Sequence, residues 1–401
     1  MKVRISSDYN YLTFLIVFLL YFIPRYLEYT SFYNILFAKQ ALDICKSLSY
    51  VLSLLLLGFT FINYKKQTAK YTVIISICLL YFSYQAFLEN HRAVFVILIF
   101  SLIFNEKYAK FIFRDIFVIS CILYLFTIVA CYFGCIENLY SYRNKFGGIW
   151  FSDSHGFGYP GQMMIMLIPV AFLYLYLRHN RINLFDILLC IFVNLVVFMQ
   201  CKTIMGFCLI LIFSLTCYLL KNQNSHRNYL MNNKLISLAP YFFVAVEIML
   251  LSLYDNFKSI GIAIDILVNG RLSVSSRVIE SYGISLFGTG FINNNTHRYE
   301  ILDSEITHMM VSEGGIFLFI SMVLCSFMLK YAQHKKDSLM VVIYILIFLN
   351  GIVNNGIFNL VINPLVIYII PSIKYVFGTR YQKYKVKNPS VIKLLLEEKK
   401  C

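Results

Sequence analysis

Tyr9-Asn-Tyr-Leu-Thr-Phe-Leu-Ile-Val-Phe-Leu-Leu-Tyr-Phe-Ile-Pro-Arg-Tyr26 carries a single charge, and that arginine stands next to the last residue. The run is close to the ~20 apolar residues that cross a bilayer as a helix. It has no small-residue cleavage site, so it reads as a retained first span rather than a signal peptide. The same block recurs down the chain. Of 401 residues, 59% are hydrophobic and 14% charged, against about 25% charged in a soluble protein. Collagen, coiled coil, disordered tail, disulfide scaffold and soluble enzyme are excluded. The sequence predicts an all-α, polytopic helical membrane protein, with residues 1–401 forming one integral-membrane domain.

Polar knots divide the apolar blocks into about twelve transmembrane helices. They fall at 9–27, 42–62, 71–88, 92–104, 115–134, 158–177, 182–200, 203–220, 235–254, 312–331, 338–356 and 360–377. An even count puts both ends on one side. That side holds 24 of the 35 Lys and Arg residues, including those of a basic tail over 378–401. The positive-inside rule makes it cytoplasmic, with both termini there. The net charge of +15 is thereby assigned to topology, and no nucleic-acid partner is expected. The eleven cysteines lie mostly inside apolar runs without CxxC or Cys/His spacing. They read as small hydrophobes, so no metal is expected.

Two outer loops are long enough to hold a site, 135–157 and 255–311. A structureless loop beyond ~15 residues is uncommon unless functional. In the longer loop, Val274, Val278 and Ile279 follow Gly270 at helical spacing and Gly283 offers an end. This predicts a short amphipathic helix around 273–282, lying against the outer membrane face.

Outer cations gain nothing from the topology rule and need another reason to be there. Arg143 and Lys145 lie in Tyr140-Ser-Tyr-Arg-Asn-Lys-Phe146, and Lys202 in Gln200-Cys-Lys-Thr203. Arg271, Arg277 and Arg298 lie in the long loop. Anion recognition would explain them, because a guanidinium fork pairs with phosphate oxygens. Snorkelling to lipid headgroups is the alternative.

His297, Glu300, Asp303, Glu305, His308 and Glu313 cluster before the tenth span. In a helix, Glu305 and His308 share a face at i,i+3. Asp303 would meet His308 only if the segment were irregular. A carboxylate beside a histidine can hold a base that deprotonates a hydroxyl; solvated loop charge is the alternative. Asp153 and His155 precede the turn-rich Gly156-Phe-Gly-Tyr-Pro-Gly161, where capping competes with a binding or catalytic role. Phe287-Gly-Thr-Gly-Phe291 could offer backbone N–H groups to a phosphate or form a plain turn.

In order along the chain, four segments resemble those of Wzy-type polysaccharide polymerases, the oligosaccharide repeat-unit polymerases of capsule, exopolysaccharide and O-antigen assembly. Asn269-Gly-Arg-Leu-Ser-Val-Ser-Ser-Arg-Val-Ile-Glu-Ser-Tyr-Gly-Ile-Ser-Leu-Phe-Gly-Thr-Gly-Phe291 resembles the family's long outer loop. Gly156-Phe-Gly-Tyr-Pro-Gly-Gln162 is similar to its Gly-Phe-x-His-Pro-Asn segment. Gln200-Cys-Lys-Thr-Ile-Met-Gly-Phe207 stands where Ser-Arg-Thr-Gly is frequent. Leu302-Asp-Ser-Glu-Ile-Thr-His-Met-Met-Val-Ser-Glu-Gly-Gly-Ile316 is similar to its Asp-Asn-x-Tyr…Gly-Ile-Ile-Gly entry to a late span, and Asn363-Pro364 also fits. The departures are Lys202 for arginine, Tyr159 and Gly161 for His and Asn, and Glu305 for an apolar or aromatic neighbour.

The resemblance implies a membrane glycosyltransferase on the outer face of a bacterial cytoplasmic membrane. Its donor and acceptor would be oligosaccharides on undecaprenyl diphosphate, and the lipid diphosphate would be the leaving group. A flippase and a chain-length regulator of the same pathway would be partners. No cofactor is implied, in keeping with the lack of Walker, Rossmann or HExxH motifs. The diphosphate and glycan would be held by Arg143, Lys202, Arg271, Arg277, Arg298 and His155. Asp303, Glu305 and His308 would supply catalysis. A flippase of lipid-linked oligosaccharide and a polysaccharide ligase are the competing readings. A membrane O-acyltransferase lacks its paired histidine here.

Overall fold

A computed structural model describes residues 5–63, 69–88, 92–145, 148–267, 270–289, 303–354 and 356–386. In these the chain is mostly helical. The helices are α1 (Ile5–Leu27), α2 (Leu36–Asn63), α3 (Ala69–Leu88), α4 (Arg92–Ile103) and α5 (Ala109–Tyr132). A hairpin of β1 (Tyr140–Lys145) and β2 (Gly148–Asp153) follows. Next come α6 (Pro160–Arg178), α7 (Leu184–Cys201), α8 (Ile204–Asn222), α9 (Asn224–Asn232), α10 (Ala239–Asn256), α11 (Lys258–Leu267) and α12 (Arg271–Tyr282). The chain closes with α13 (Glu305–His308), α14 (Gly315–His334), α15 (Ser338–Gly351) and α16 (Ile369–Val386).

Among the described residues, seven helical stretches are long and apolar enough to cross a membrane. They are Leu36–Gly58, Glu106–Tyr132, Pro160–Arg178, Leu184–Cys201, Ile204–Asn222, Lys234–Asn256 and Gly315–His334. The protein is therefore a polytopic, helical, membrane-embedded chain. Helices α6 and α14 are the most buried of the seven, whereas α2 exposes Phe37, Ile44 and Leu55. In a soluble fold such an exposed apolar face would be a liability; here it is the surface that lipid covers. Acids near the span ends are explained locally. Asn183 and Asp186 form a reciprocal capping box at the start of α7, and Arg178 pairs with Asp186 at 2.9 Å. Asp115 accepts from the Tyr11 hydroxyl and from Arg114.

Three departures from the sequence reading shape the structure around the long loops. The 135–157 loop is an antiparallel hairpin in which Tyr142 faces Phe151 and Tyr140 stacks on Phe151 at 5.3 Å. Cross-strand aromatic pairs of this kind stabilise a short ribbon. The hairpin's exit is tied to the end of α1: Ser31 N–H donates to the Gly156 carbonyl at 2.7 Å, and Gly158 N–H to the Tyr29 carbonyl at 3.0 Å.

The second departure is in the long loop. Helix α12 exists where expected, between Gly270 (φ 79°) and Gly283 (φ 72°). Its Val274, Val278 and Ile279 pack on Val311 rather than on the membrane face. The helix with an outward apolar face is α11, which exposes Ile260, Ile262 and Ile266 while Gly261 and Asp265 turn inward.

The third is the end of the bundle. A helix over 338–356, a three-residue turn and a helix over 360–377 were expected. Instead α15 stops at Gly351, the chain runs as irregular turns, and a 3-10 turn at Pro364–Tyr368 leads into α16. A side chain at Gly351 would strike Ile357, so the chain folds back on itself there. The described residues from Ile352 to Tyr368 are buried apart from Asn359. Irregular backbone is tolerated at membrane depth only where protein buries it or water reaches it. Side chains satisfy it here: Asn363 Nδ2 donates to the Ile357 carbonyl at 2.8 Å, and Asn359 Oδ1 accepts from Val361 N–H at 3.0 Å.

Candidate functional site

The irregular segment, the start of α12 and the stretch before α14 meet around one guanidinium. Gly270, in the left-handed region, turns the chain into α12. Asp265 from α11 caps that start, its Oδ1 accepting from Leu272 N–H at 2.8 Å and Ser273 N–H at 3.2 Å. Arg271 is thereby fixed at the first position of α12. Its Nε donates to Asp303 Oδ2 at 3.1 Å, and its Nη2 to Asn354 Oδ1 at 3.0 Å. Asn354 is itself oriented, its Nδ2 donating to Asn350 Oδ1 at 2.8 Å. The Arg271 side chain is 17% exposed and that of Asp303 41%. The pair is half sheltered and still reachable.

The acid cluster divides into three tasks. Asp303 meets Arg271, not His308. Glu305 is buried, and its carboxylate accepts from the backbone N–H groups of Gly356, Ile357 and Phe358, the last at 3.1 Å. Burial pushes its carboxyl above the usual range, and those three donors pull it partway back. A carboxylate so engaged anchors the turn, and its bonds go to the backbone rather than to His308. His308 Nδ1 lies 3.9 Å from Glu313 Oε1, across a π-helical turn at Met309–Glu313. That turn loosens the ladder just before α14, and the 285–289 loop fills the gap. Thr289 N–H donates to the Val311 carbonyl at 3.0 Å, and Gly315 N–H to the Ser285 carbonyl at 2.9 Å. Gly288 (φ 99°) lies so close that a side chain would strike the Ser312 carbonyl. The glycine of Phe287-Gly-Thr is therefore required by backbone approach, while Gly290 and Phe291 of the same motif lie outside the described residues.

The expected anion-binding cations do not all converge. Arg277 is six residues beyond Arg271, about 240° around the helix. It is exposed, and its Nε donates to the Ser273 carbonyl at 3.2 Å. Lys202 adopts φ 53° as the cap of α7 and is half-buried, with no ion pair among the described residues. His155 also has positive φ (45°); its N–H donates to Asp153 Oδ1 at 2.9 Å, and its Nε2 lies 3.8 Å from Asp153 Oδ2. It closes the turn from the hairpin into α6. Arg143 sits in β1 opposite Trp150, but its side chain and that of Lys145 lie outside the described residues. Arg298, His297 and Glu300 lie wholly outside them. Among the described residues no group of three or more His, Cys, Asp or Glu gathers as a metal site.

Several participants escaped the sequence reading. Asn350, Asn354 and Asn359 punctuate an apolar stretch, and polar residues there were the available signal. Glu28 is paired by both Arg25 and Lys46, and Lys46 reaches Asp43 at 2.7 Å. Asn359 Nδ2 donates to the Tyr29 hydroxyl next to that group. The C-terminal end of α1 is thus joined to the segment that carries Asn354. No family model, curated protein or solved structure matches the chain.

Proposed function

We propose that this chain is a membrane glycosyltransferase of the Wzy type. It would polymerise undecaprenyl-diphosphate-linked repeat units into a surface polysaccharide on the outer face of a bacterial cytoplasmic membrane. The observation that carries the reading is the Arg271 group. A guanidinium has five N–H donors, of which one goes to Asp303 and one to Asn354, so others stay available to an incoming anion. A preorganised cation of this kind suits a departing lipid diphosphate. In this reading Asp303 holds the site in the absence of substrate, and on displacement by diphosphate it becomes a base for the attacking hydroxyl. His308, paired with Glu313, is the second candidate base. Lys202, Arg143, Arg298 and His155 remain candidates for glycan or diphosphate contacts, whereas exposed Arg277 points away from the Arg271 group.

Twelve spans with both termini cytoplasmic fit the same reading. Five shorter apolar helices (Tyr11–Leu27, Thr72–Tyr84, Val94–Ile103, Ser338–Gly351 and Pro364–Phe377) accompany the seven long ones, and the basic residues alternate accordingly. A flippase and a chain-length regulator of the same pathway would be the partners, and no cofactor is needed. The test is the glycan profile of a deletion strain. Single capped repeats support polymerisation. Absence of exported repeats assigns a flippase, and accumulated lipid-linked polymer assigns a ligase.

A further inference from the structure

Both side chains that hold Arg271 are attached to points gripped by a buried carboxylate. Glu247 lies in the middle of α10 and is 1% exposed. Its Oε1 accepts from Ser304 Oγ at 2.8 Å and from Thr307 Oγ1 at 2.7 Å. Ser304 is the N-cap of α13, and its Oγ also accepts from Thr307 N–H at 3.3 Å. The residue just before Ser304 is Asp303. On the other side, Glu305 binds three successive N–H groups beginning at Gly356, two residues after Asn354. Gly356 is closely packed, since a side chain there would press on Ile362.

We infer that Glu247 and Glu305 form a two-carboxylate clamp that positions Asp303 and Asn354 around Arg271. A buried carboxylate is a weak source of stability, because an apolar replacement of similar volume often serves as well. The directional bonds it makes are what an apolar side chain cannot replace. Glu247 fixes the start of α13 to α10, and Glu305 fixes the re-entering chain to α13. Arg271, anchored separately through the Asp265 cap, is then met at two of its nitrogens. Neither glutamate touches the guanidinium; both are positioning residues. The anion that Arg271 would receive is taken from the proposed function, but the clamp itself is read on the guanidinium.

The test follows the reactivity of Arg271 toward phenylglyoxal in the full-length protein purified in detergent, with exposed Arg277 as internal reference. An arginine held by a carboxylate and an amide reacts slowly. Glu247→Gln keeps an oxygen that accepts from both hydroxyls, so the Arg271 rate should stay near that of the unaltered protein. Glu247→Leu frees Asp303, and the rate should rise roughly tenfold, the scale of one lost charge-assisted hydrogen bond, with Arg277 unchanged. Asp303→Asn marks the rate of a guanidinium that has lost its carboxylate. If Glu247→Leu does not fold, Ser304→Ala with Thr307→Val removes the same bonds from the other side. An unchanged Arg271 rate in the folded variant overturns the clamp, as does an equal rise in Glu247→Gln. The outcome does not depend on what the protein polymerises: if Arg271→Ala leaves surface glycan intact, the proposed function fails while the labelling result still decides the clamp.

Discussion

Arg271 and Arg277 share one short helix and have opposite fates. The first is held by Asp303 and Asn354; the second lies on the exposed side. Under the proposed function, Arg271→Ala should cut polymer formation by roughly 10²–10³, the usual loss when one preorganised donor to a developing oxyanion is removed. Arg271→Lys should retain part of it, since the charge stays and the planar fork goes. Arg277→Ala should be close to normal. Polymer length on a gel at matched protein level separates these outcomes, and normal polymer from Arg271→Ala rejects the assignment. Glu305 belongs to stability instead. Glu305→Ala leaves three buried N–H groups without their acceptor, at about 1–3 kcal/mol each. Its unfolding temperature in detergent should fall well below that of Arg277→Ala, and equal temperatures would refute the anchoring role.

At the scale of elements, the region around the 285–289 loop is built by backbone meeting backbone. Gly288 at φ 99° lies against the Ser312 carbonyl, and Gly314 at φ 93° against Gly288. Gly288→Ala adds a steric clash to a left-handed cost of about 1–2 kcal/mol, so it should detach the 285–289 loop and lower the unfolding temperature; a neutral effect would contradict the packing. Helix α11 presents Ile260, Ile262 and Ile266 outward, and Phe242 and Met249 of the preceding α10 and Phe257 between the two helices are also exposed. A membrane protein covers such a surface with lipid. The chain has one tryptophan, so Ile262→Trp in a Trp150→Phe background gives a single reporter. Brominated lipid in reconstituted vesicles should quench it strongly. Fluorescence indifferent to brominated lipid would place α11 against protein or water.

For the whole molecule, the testable statement is orientation. The loop around α9 carries Lys221, Arg227 and Lys234, and the positive-inside rule assigns it to the cytoplasm. With the eleven native cysteines removed, Asn228→Cys should resist a membrane-impermeant thiol reagent until cells are permeabilised. Labelling of intact cells at position 228 would invert the topology. In the proposed orientation the hairpin, α11, α12 and the Arg271 group would lie together on the outer side.

The sequence by itself determined the class, most of the spans, the existence of α12 between its two glycines and the stretch in which charge gathers. Those properties are one-dimensional: apolar run length, helical period and loop charge are legible without knowing what touches what. Only the tertiary structure decided who pairs with whom. Glu305 and His308 look like partners at i,i+3, yet the Glu305 carboxylate is drawn to N–H groups more than fifty residues away, because α15 stops at Gly351 and leaves buried donors without acceptors. Asp303 looks like support for a histidine and instead meets Arg271. Asn354 resembles an incidental polar residue in an apolar run until the fold places its amide beside the guanidinium. Long-range burial creates the unsatisfied donors and acceptors, and the residues that answer them are chosen by proximity in space, which periodicity along the chain does not encode.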